Sequence, residues 1–236
     1  MVQVGWRRTQ NIGILCYYAE IMRDATMERS AASPAGDPSA VVAAMRDAGI
    51  TSFFRPSQLV EAGLTRNQLP ALVRSGWVEH VARGLYRIAD AEPTENYSLA
   101  WACARVPNSI VCLLSALRVH EIGTQSPADV WLAIPHKAHA PRIPELRVRL
   151  VRFSGPAWTV GVQETRFEGV PARITSPART VVDCFRFERL VGAEIAMEAL
   201  HDALRQRKTT IGELSRVSEV LPSRRLSAAL DVLAPG

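Results

Sequence analysis

The chain has 236 residues, of which 47% are hydrophobic and 22% charged, and its formal net charge is +5. These proportions are those of a globular protein, which excludes a wholly disordered chain, and no uninterrupted apolar stretch is long enough to span a membrane. The positive net charge permits nucleic-acid binding without establishing it.

Residues 1–38 differ from the rest of the chain in composition. The stretch "ERSAASPAGDPSA" is rich in Ser, Ala, Pro and Gly, and Met22 and Met27 both precede the first compact pattern. Such a composition predicts a disordered leader. We therefore expect ordered structure to start near Val41, and the start of translation stays open between Met1 and Met27.

Two short helices are predicted after a first helix that starts near Val41 and a turn at Gly49. In "RPSQLVEAG", the proline suits the start of a helix and the glycine its end. In "TRNQLPALVRSG", Thr65 suits the N-cap position, and Gln68 lies three residues on, which is the spacing of a capping box. Pro70 removes a backbone hydrogen bond just past the first turn. We therefore expect this second helix to start irregularly or a little later.

A hairpin follows these helices. Apolar residues alternate between Trp77 and Ile88, and Gly84 in "ARG" supplies the backbone freedom of a tight connection. Helix, glycine turn, helix and hairpin, in this order, predict a winged helix-turn-helix over residues 39–91. The second helix of such a fold enters the DNA major groove.

Arginine and amide side chains lie where such a fold contacts DNA. Arg pairs with guanine, and Asn or Gln with adenine, through two hydrogen bonds. The start of the second helix is therefore predicted to read bases, and the arginines farther on to reach phosphates or the minor groove. The predicted DNA-binding residues are Thr65, Arg66, Asn67, Gln68, Arg74, Arg83 and Arg87. The alternative is a polar helix start with arginines that only coat a solvated face.

Residues 92–236 predict an α+β domain, with a small sheet followed by C-terminal helices. "YSLAWACARV" and "SIVCLLSALRVHEIG" are typical of buried helices, the second capped by Ser109. Four runs with partial alternation, "DVWLAIP", "ELRVRLVRFS", "VQETRFEGV" and "PARIT", predict the strands. Ser176 and Pro177 suit the start of a helix, and three further amphipathic stretches follow it.

Three sets of residues suggest an enzyme: His136 with His139 as metal ligands, Asp129 and Glu145 with Lys137 as a nuclease site, and Cys184 as a nucleophile. The histidines lack further ligands, the carboxylates are scattered rather than convergent, and the thiol lies in an apolar stripe. No glycine-rich phosphate loop is present. We therefore expect no catalytic residue, no metal and no cofactor.

The cysteines indicate a reducing compartment. Cys16, Cys103, Cys112 and Cys184 show no paired spacing, and three of them lie in apolar runs. This pattern is typical of buried free thiols, so we expect a cytoplasmic protein.

Two blocks of the chain resemble the AbiEi-type antitoxins of bacterial type IV toxin–antitoxin systems. "FFRPSQLVEAGLTRNQLPALVRSGWVEHVARGLYRI" is similar to the winged helix of that family. "SIVCLLSALRVHEIGTQSPADVWLAIP" and "RITSPARTVVDCFRFERLVGAEIAMEALHDAL" are similar to its C-terminal antitoxin region. Together they span about Val41 to Leu204, and "TSPARTVVDCF" and "CLLSALRVH" are the most specific stretches.

The resemblance implies a non-enzymatic antitoxin of phage defence. In that family the N-terminal domain binds double-stranded DNA at inverted repeats in its own promoter and represses transcription. The C-terminal domain, here residues 92–236, counteracts a nucleotidyltransferase toxin encoded beside it. A stable complex with the toxin is not required, and no membrane partner is implied.

The resemblance also assigns residues to these roles. It gives base reading to Arg66, Asn67 and Gln68 and the wing role to Arg83. For the antitoxin surface we expect the basic residues on and beside one predicted strand, which are Lys137, Arg142, Arg147 and Arg149.

Two other functions stay open. One is a winged-helix transcriptional regulator whose C-terminal domain senses a ligand or mediates dimerisation. The other is an enzyme that acts on nucleic acid, which metal-dependent cleavage would reveal. A nucleotidyltransferase-like gene next door would favour the antitoxin over the regulator.

Overall fold

The computed structural model describes residues 37–141, 143–144 and 146–233, so all but the last two residues of the predicted leader lie outside it. The chain starts with helix α1 (Pro38–Asp47), and the Asp37 side chain caps this helix by accepting a hydrogen bond from the Ser39 N–H at 3.1 Å. Next come strand β1 (Phe53–Phe54), helix α2 (Pro56–Glu61), a 3-10 turn (Arg66–Gln68), helix α3 (Leu69–Arg74) and strands β2 (Val78–Ala82) and β3 (Leu85–Ile88).

These elements form the predicted winged helix-turn-helix. The strands make an antiparallel sheet in the order β1-β3-β2, and α1, α2 and α3 pack against one face of it. The buried residues Val42, Met45, Leu59, Leu72 and Ile88 belong to this core. A glycine with φ of +76°, Gly63, follows the end of α2, as expected for the turn between the two helices.

The C-terminal region holds a second sheet and most of the helices. Its elements are α4 (Tyr97–Arg105), β4 (Ile110–Val111), α5 (Leu113–Val119), β5 (Val130–Pro135), β6 (Val148–Phe153), a 3-10 turn (Gly155–Trp158), β7 (Val162–Phe167), β8 (Val170–Thr175), α6 (Pro177–Arg186), α7 (Glu188–Val191), α8 (Ala193–Arg205), α9 (Ile211–Val220) and α10 (Arg224–Leu233). The strand order is β6-β5-β4-β8-β7. The pairs β5–β6 and β4–β8 are parallel, and the other neighbours are antiparallel.

Both faces of the five-stranded sheet are covered. Because side chains alternate along a strand, Ile110 and Trp131 point into a core built with α5, α6, α8, α9 and α10. Their neighbours Val111 and Leu132 point into a second core built with α4. The predicted α+β class, with small sheets and C-terminal helices, is confirmed.

One predicted helix is wrong in its start. "SIVCLLSALRVHEIG" contains the two-residue strand β4 before α5, so Ser109 caps no helix, and its hydroxyl donates to the Val106 carbonyl at 2.7 Å instead. Ile110 and Val111 are fully buried between β5 and β8. Their β-branched side chains suit this central strand position, and the pairing with distant strands decides the conformation.

An apolar cluster crosses the predicted boundary at residues 91 and 92. The Phe53 ring of β1 lies 5.8 Å from the Tyr97 ring and 6.2 Å from the Trp101 ring of α4, centroid to centroid. The wing residues Val81 and Leu85 belong to the same cluster. The winged helix is thus packed on α4, and the two-domain division itself stays a prediction.

A carboxylate forms hydrogen bonds across the same junction. Glu168 lies in the turn between β7 and β8, and it accepts hydrogen bonds from the Ser52 hydroxyl at 2.6 Å and from the Thr94 N–H and hydroxyl at 3.2 and 2.5 Å. A Cβ placed on the next residue, Gly169, would lie 3.2 Å from the Phe53 carbonyl oxygen. The turn therefore sits directly against β1.

Within the described part of the chain, no helix combines the length and the hydropathy needed to cross a bilayer.

Candidate nucleic-acid interface

The start of the second helix of the helix-turn-helix is irregular, as predicted. A 3-10 turn covers Arg66–Gln68, and the α-helix begins only at Leu69. Pro70 is then the second residue of α3, where a backbone N–H would have no partner within the helix. The proline is therefore accommodated, and the preceding turn carries the side chains predicted to read bases.

A glutamine side chain holds this turn in place. The Thr65 N–H donates to Gln68 Oε1 at 3.1 Å. The same arrangement recurs at the start of α2, where the Arg55 N–H donates to Gln58 Oε1 at 2.7 Å. Pairing of a glutamine with adenine needs both its amide oxygen and its amide nitrogen, and the oxygen of Gln68 already has a partner. Arg66 and Asn67 are therefore the better candidates for base reading.

Three of the arginines predicted to contact DNA are exposed and available to a ligand. Arg66 lies at the start of the second helix, Arg74 in the last turn of α3 and Arg83 in the loop between β2 and β3. Gly84, with φ of +66°, completes that two-residue loop. None of the three arginines forms an ion pair with another residue of the described ranges. Thr65 and Asn67 are also exposed, so this surface offers cationic and amide donors together.

The prediction for Arg87 is wrong. Its side chain is only 5% exposed and donates to the carbonyl oxygens of Ala91 at 2.6 Å and Ala89 at 3.2 Å. Its guanidinium carbon lies 4.8 Å from the centre of the Tyr97 ring. Residues two apart on a strand share a face, so Arg87 shares the buried face of Leu85. This arginine fastens the wing to α4 and cannot reach a phosphate.

The predicted antitoxin surface is divided between two ends of a strand pair. Arg147 and Arg149 come together at the start of β6, where their Nε atoms lie 3.0 and 2.8 Å from the two carboxylate oxygens of Asp129. Lys137 is exposed, but it follows the far end of β5, which runs parallel to β6. Six residues of strand separate the two ends by roughly 20 Å. Arg142 lies outside the described residues.

The "TSPARTVVDCF" block builds the interior rather than the surface. Ser176 caps α6, as predicted, by accepting from the Arg179 N–H at 3.3 Å. Arg179 and Asp183 are both fully buried, and the Arg179 Nε lies 2.8 Å from Asp183 Oδ2. Burial raises the pKa of Asp183, and the cationic charges of Arg179 and Arg186 oppose that shift.

The other two nitrogen atoms of the Arg179 guanidinium also donate hydrogen bonds inside the protein. Its NH2 group donates to the Ala157 carbonyl at 3.0 Å, and its NH1 group donates to the Val160 carbonyl. A Cβ on Gly161 would lie 2.6 Å from the Arg179 Cβ, so only glycine fits there. Each nitrogen of the buried Arg179 guanidinium thus has a hydrogen-bond partner, in keeping with the high cost of burying an unpaired charge.

The residues that suggested an enzyme do not converge. His136 and His139 are exposed, and no cluster of three or more metal-ligating side chains occurs among residues 37–141, 143–144 and 146–233. Cys184 is fully buried, and burial raises its pKa, which disfavours the nucleophilic thiolate. Asp129 binds two arginines, and its suggested partner Glu145 lies outside the described residues.

The three buried cysteines are free thiols. Burial raises the pKa of Cys103 to about 12 and also raises that of Cys112. Cys16 lies in the part of the chain that the structure does not describe.

The fold and this surface define the class of a winged helix-turn-helix protein with exposed candidate DNA contacts. In the comparison with protein families, residues 44–89 match the model described as "Transcriptional regulator, AbiEi antitoxin". The matched segment runs from within α1 to the end of β3 and contains every residue of the candidate interface. The resemblance to AbiEi-type antitoxins is thereby confirmed, and the match supports a DNA-binding antitoxin.

Comparison with solved structures found a similar chain, the RV2827C protein from Mycobacterium tuberculosis. The two are 18% identical, with a TM-score of 0.48, and the match covers 76% of this chain and 70% of that one. No curated protein sequence matches the chain significantly.

Proposed function

We propose that this protein is an antitoxin of a type IV toxin–antitoxin system that represses its own promoter. The winged helix binds double-stranded DNA at inverted repeats, and the C-terminal region counteracts a nucleotidyltransferase toxin without requiring a stable complex. The observation that carries the proposal is the exposed pair Arg66 and Asn67 at the start of the second helix, inside the segment that matches the AbiEi family.

The geometry of the surface supports the DNA-binding part of this proposal. In a helix-turn-helix the N-terminal residues of the second helix face the base edges, and Arg66 and Asn67 belong to the 3-10 turn at the start of that helix. Arg83 extends from the wing loop, where contact with a phosphate or the minor groove is expected. Its guanidinium has no carboxylate partner in the described ranges to compete with DNA.

The experiment replaces both Arg66 and Asn67 with Ala and measures operator binding by gel shift and repression in a promoter–reporter strain. Each lost base contact should cost about 1–3 kcal/mol of specific binding. Arg46→Ala is the matched control, because Arg46 is an exposed arginine of the same region whose NH2 group lies 2.9 Å from Asp90. Unchanged operator affinity in the double variant would reject this surface as the DNA-reading site.

The same variant tests the separation of the two activities. Co-expressed with the nucleotidyltransferase toxin encoded beside the gene, it should still protect cells while it no longer represses. Loss of both activities at normal protein levels would show that neutralisation depends on the DNA-binding surface. A ligand-sensing or dimerising regulator, the alternative function, would bind the promoter but give no protection in any variant.

A further inference from the structure

A concave surface lies in the C-terminal region, away from the winged helix. It is a cleft of about 420 Å³ between the end of α6, the start of α7 and the start of α10. This volume falls within the range of small-molecule sites. The lining residues that matter chemically are Arg186, Phe187, Glu188, Ser223, Arg224 and Arg225.

The cleft carries a net positive charge. Three arginines and a single carboxylate, Glu188, line it. Arg225 NH1 lies 2.7 Å from Glu188 Oε2, which engages only a part of a guanidinium that has five N–H donors. The neighbouring Arg224 is exposed and forms no ion pair within the described chain. The charge balance of the lining is therefore +2, and several donors remain for an anion.

The third arginine of the cleft is fixed by the buried motif. Arg186 NH1 donates to Asp183 Oδ1 at 2.8 Å, and the second oxygen of Asp183 is held by Arg179. The Arg186 side chain keeps 24% of its surface exposed, and its guanidinium carbon lies 5.7 Å from the centre of the Phe187 ring. A donor held in place loses little conformational entropy when it binds a ligand. The core of "TSPARTVVDCF" thus orients a cation at the cleft.

We propose that this cleft binds the phosphate groups of a nucleotide. Guanidinium groups match phosphate oxygens through paired hydrogen bonds, and three such groups suit a ligand with more than one negative charge. Phe187 is half-buried and lines the cleft beside them, so part of its side chain is available for apolar contact with the base. The volume of about 420 Å³ is enough for one nucleotide. Nucleotide binding at this cleft depends neither on promoter binding nor on toxin neutralisation.

The test is calorimetric titration of the full chain with ATP, GTP, CTP and UTP, and with inorganic tripolyphosphate as a probe without a base. At least one nucleotide should bind, and more tightly than tripolyphosphate. The double variant Arg224→Ala/Arg225→Ala should weaken binding by about tenfold or more, because hydrogen bonds to charged groups are lost. Both positions are exposed at the start of α10, so thermal unfolding should change little.

The matched control is the double variant Arg205→Ala/Arg207→Ala, which removes two exposed arginines from the end of α8 and the turn after it, outside the cleft. It should bind nucleotide as the unchanged protein does. Three results would overturn the proposal: no binding of any nucleotide, an equal loss in both double variants, or tripolyphosphate bound as tightly as the best nucleotide. If single-stranded oligonucleotides bound through Arg224 and Arg225 more tightly than any of the four nucleotides, a nucleotide site would also be rejected.

Discussion

The two regions of the molecule use arginine in different ways. On the outer surface of the winged helix, Arg66, Arg74 and Arg83 form no ion pair with any described residue. In the C-terminal region, two arginines meet at Asp183 and two at Asp129. Uncompensated arginines are available to a polyanion, whereas Arg179, fully buried against Asp183, is part of the fold. The net charge of the chain does not reveal this difference.

The difference also separates arginines within the winged helix. Arg87 belongs to the same hairpin as Arg83, yet it is buried against α4 and bonded to two carbonyl oxygens. Arg83 lies at the tip of the loop, and Arg87 lies on the strand face that packs on the C-terminal region. The wing therefore presents one cation to solvent and uses the other to hold its position.

The first prediction concerns the most deeply paired charge. Asp183→Asn removes the negative charge between Arg179 and Arg186 and leaves the fully buried Arg179 uncompensated. Breaking one side of a buried ion pair should lower the free energy of unfolding by about 3–5 kcal/mol. Urea unfolding followed by circular dichroism measures this loss.

The matched control for Asp183→Asn is Asp90→Asn in the winged-helix region. Asp90 forms an ion pair with Arg46, and these two side chains are 54% and 42% exposed. The expected loss of unfolding free energy is therefore only about 0–1 kcal/mol. If the two variants lost similar stability, the distinction between structural and surface arginine pairs would be wrong for this protein.

The second prediction concerns the junction between the regions. Glu168→Ala leaves the buried Ser52 and the Thr94 N–H without their acceptor, which should cost about 1–3 kcal/mol. Thermal unfolding should report a fall of roughly 2–4 °C for each kcal/mol at this chain length. The unfolding transition should stay single, because Phe53 and Tyr97 share one apolar cluster across the boundary.

A second glutamate provides the control for Glu168→Ala. Glu121 also has a positive φ, +55° against +47° for Glu168, so the backbone effect of alanine is comparable. Its side chain is 82% exposed and contacts Lys208, and its replacement should change stability by about 0–1 kcal/mol. Equal losses at the two positions would show that Glu168 contributes no special contact between the regions.

Local signals in the sequence were sufficient for much of the fold. Short-range chemistry accounts for the Ser176 cap, for the second helix that becomes α-helical only at Leu69, just before Pro70, and for the hairpin loop at Gly84. Strand β4 was missed because its conformation depends on pairing with β5 and β8, which are distant in sequence. Local propensity does not contain such pairings.

The candidate site was predictable only in part. The position of Arg66 and Asn67 follows from the order of elements, and their exposure agrees with it. The burial of Arg87 could have been inferred, because it lies two residues after the apolar Leu85. The separation of Lys137 from Arg147 could not, since it depends on β5 and β6 running parallel. The base and phosphate contacts themselves stay predictions.

The last prediction concerns Arg83, the unpaired arginine of the wing, whose replacement should not affect the fold. Arg83→Ala should leave the free energy of unfolding unchanged within about 0.5 kcal/mol, as for an exposed site without partners. It should weaken binding to all DNA sequences and reduce the slope of log affinity against log salt by about 1, because one phosphate contact releases its counterions. Titration of operator and unrelated DNA at several salt concentrations measures both. Arg149→Ala, whose guanidinium is bound to Asp129, should leave that slope unchanged. A change in sequence preference alone would instead mean that Arg83 reads bases, and an equal change of slope at Arg149 would place DNA on both regions.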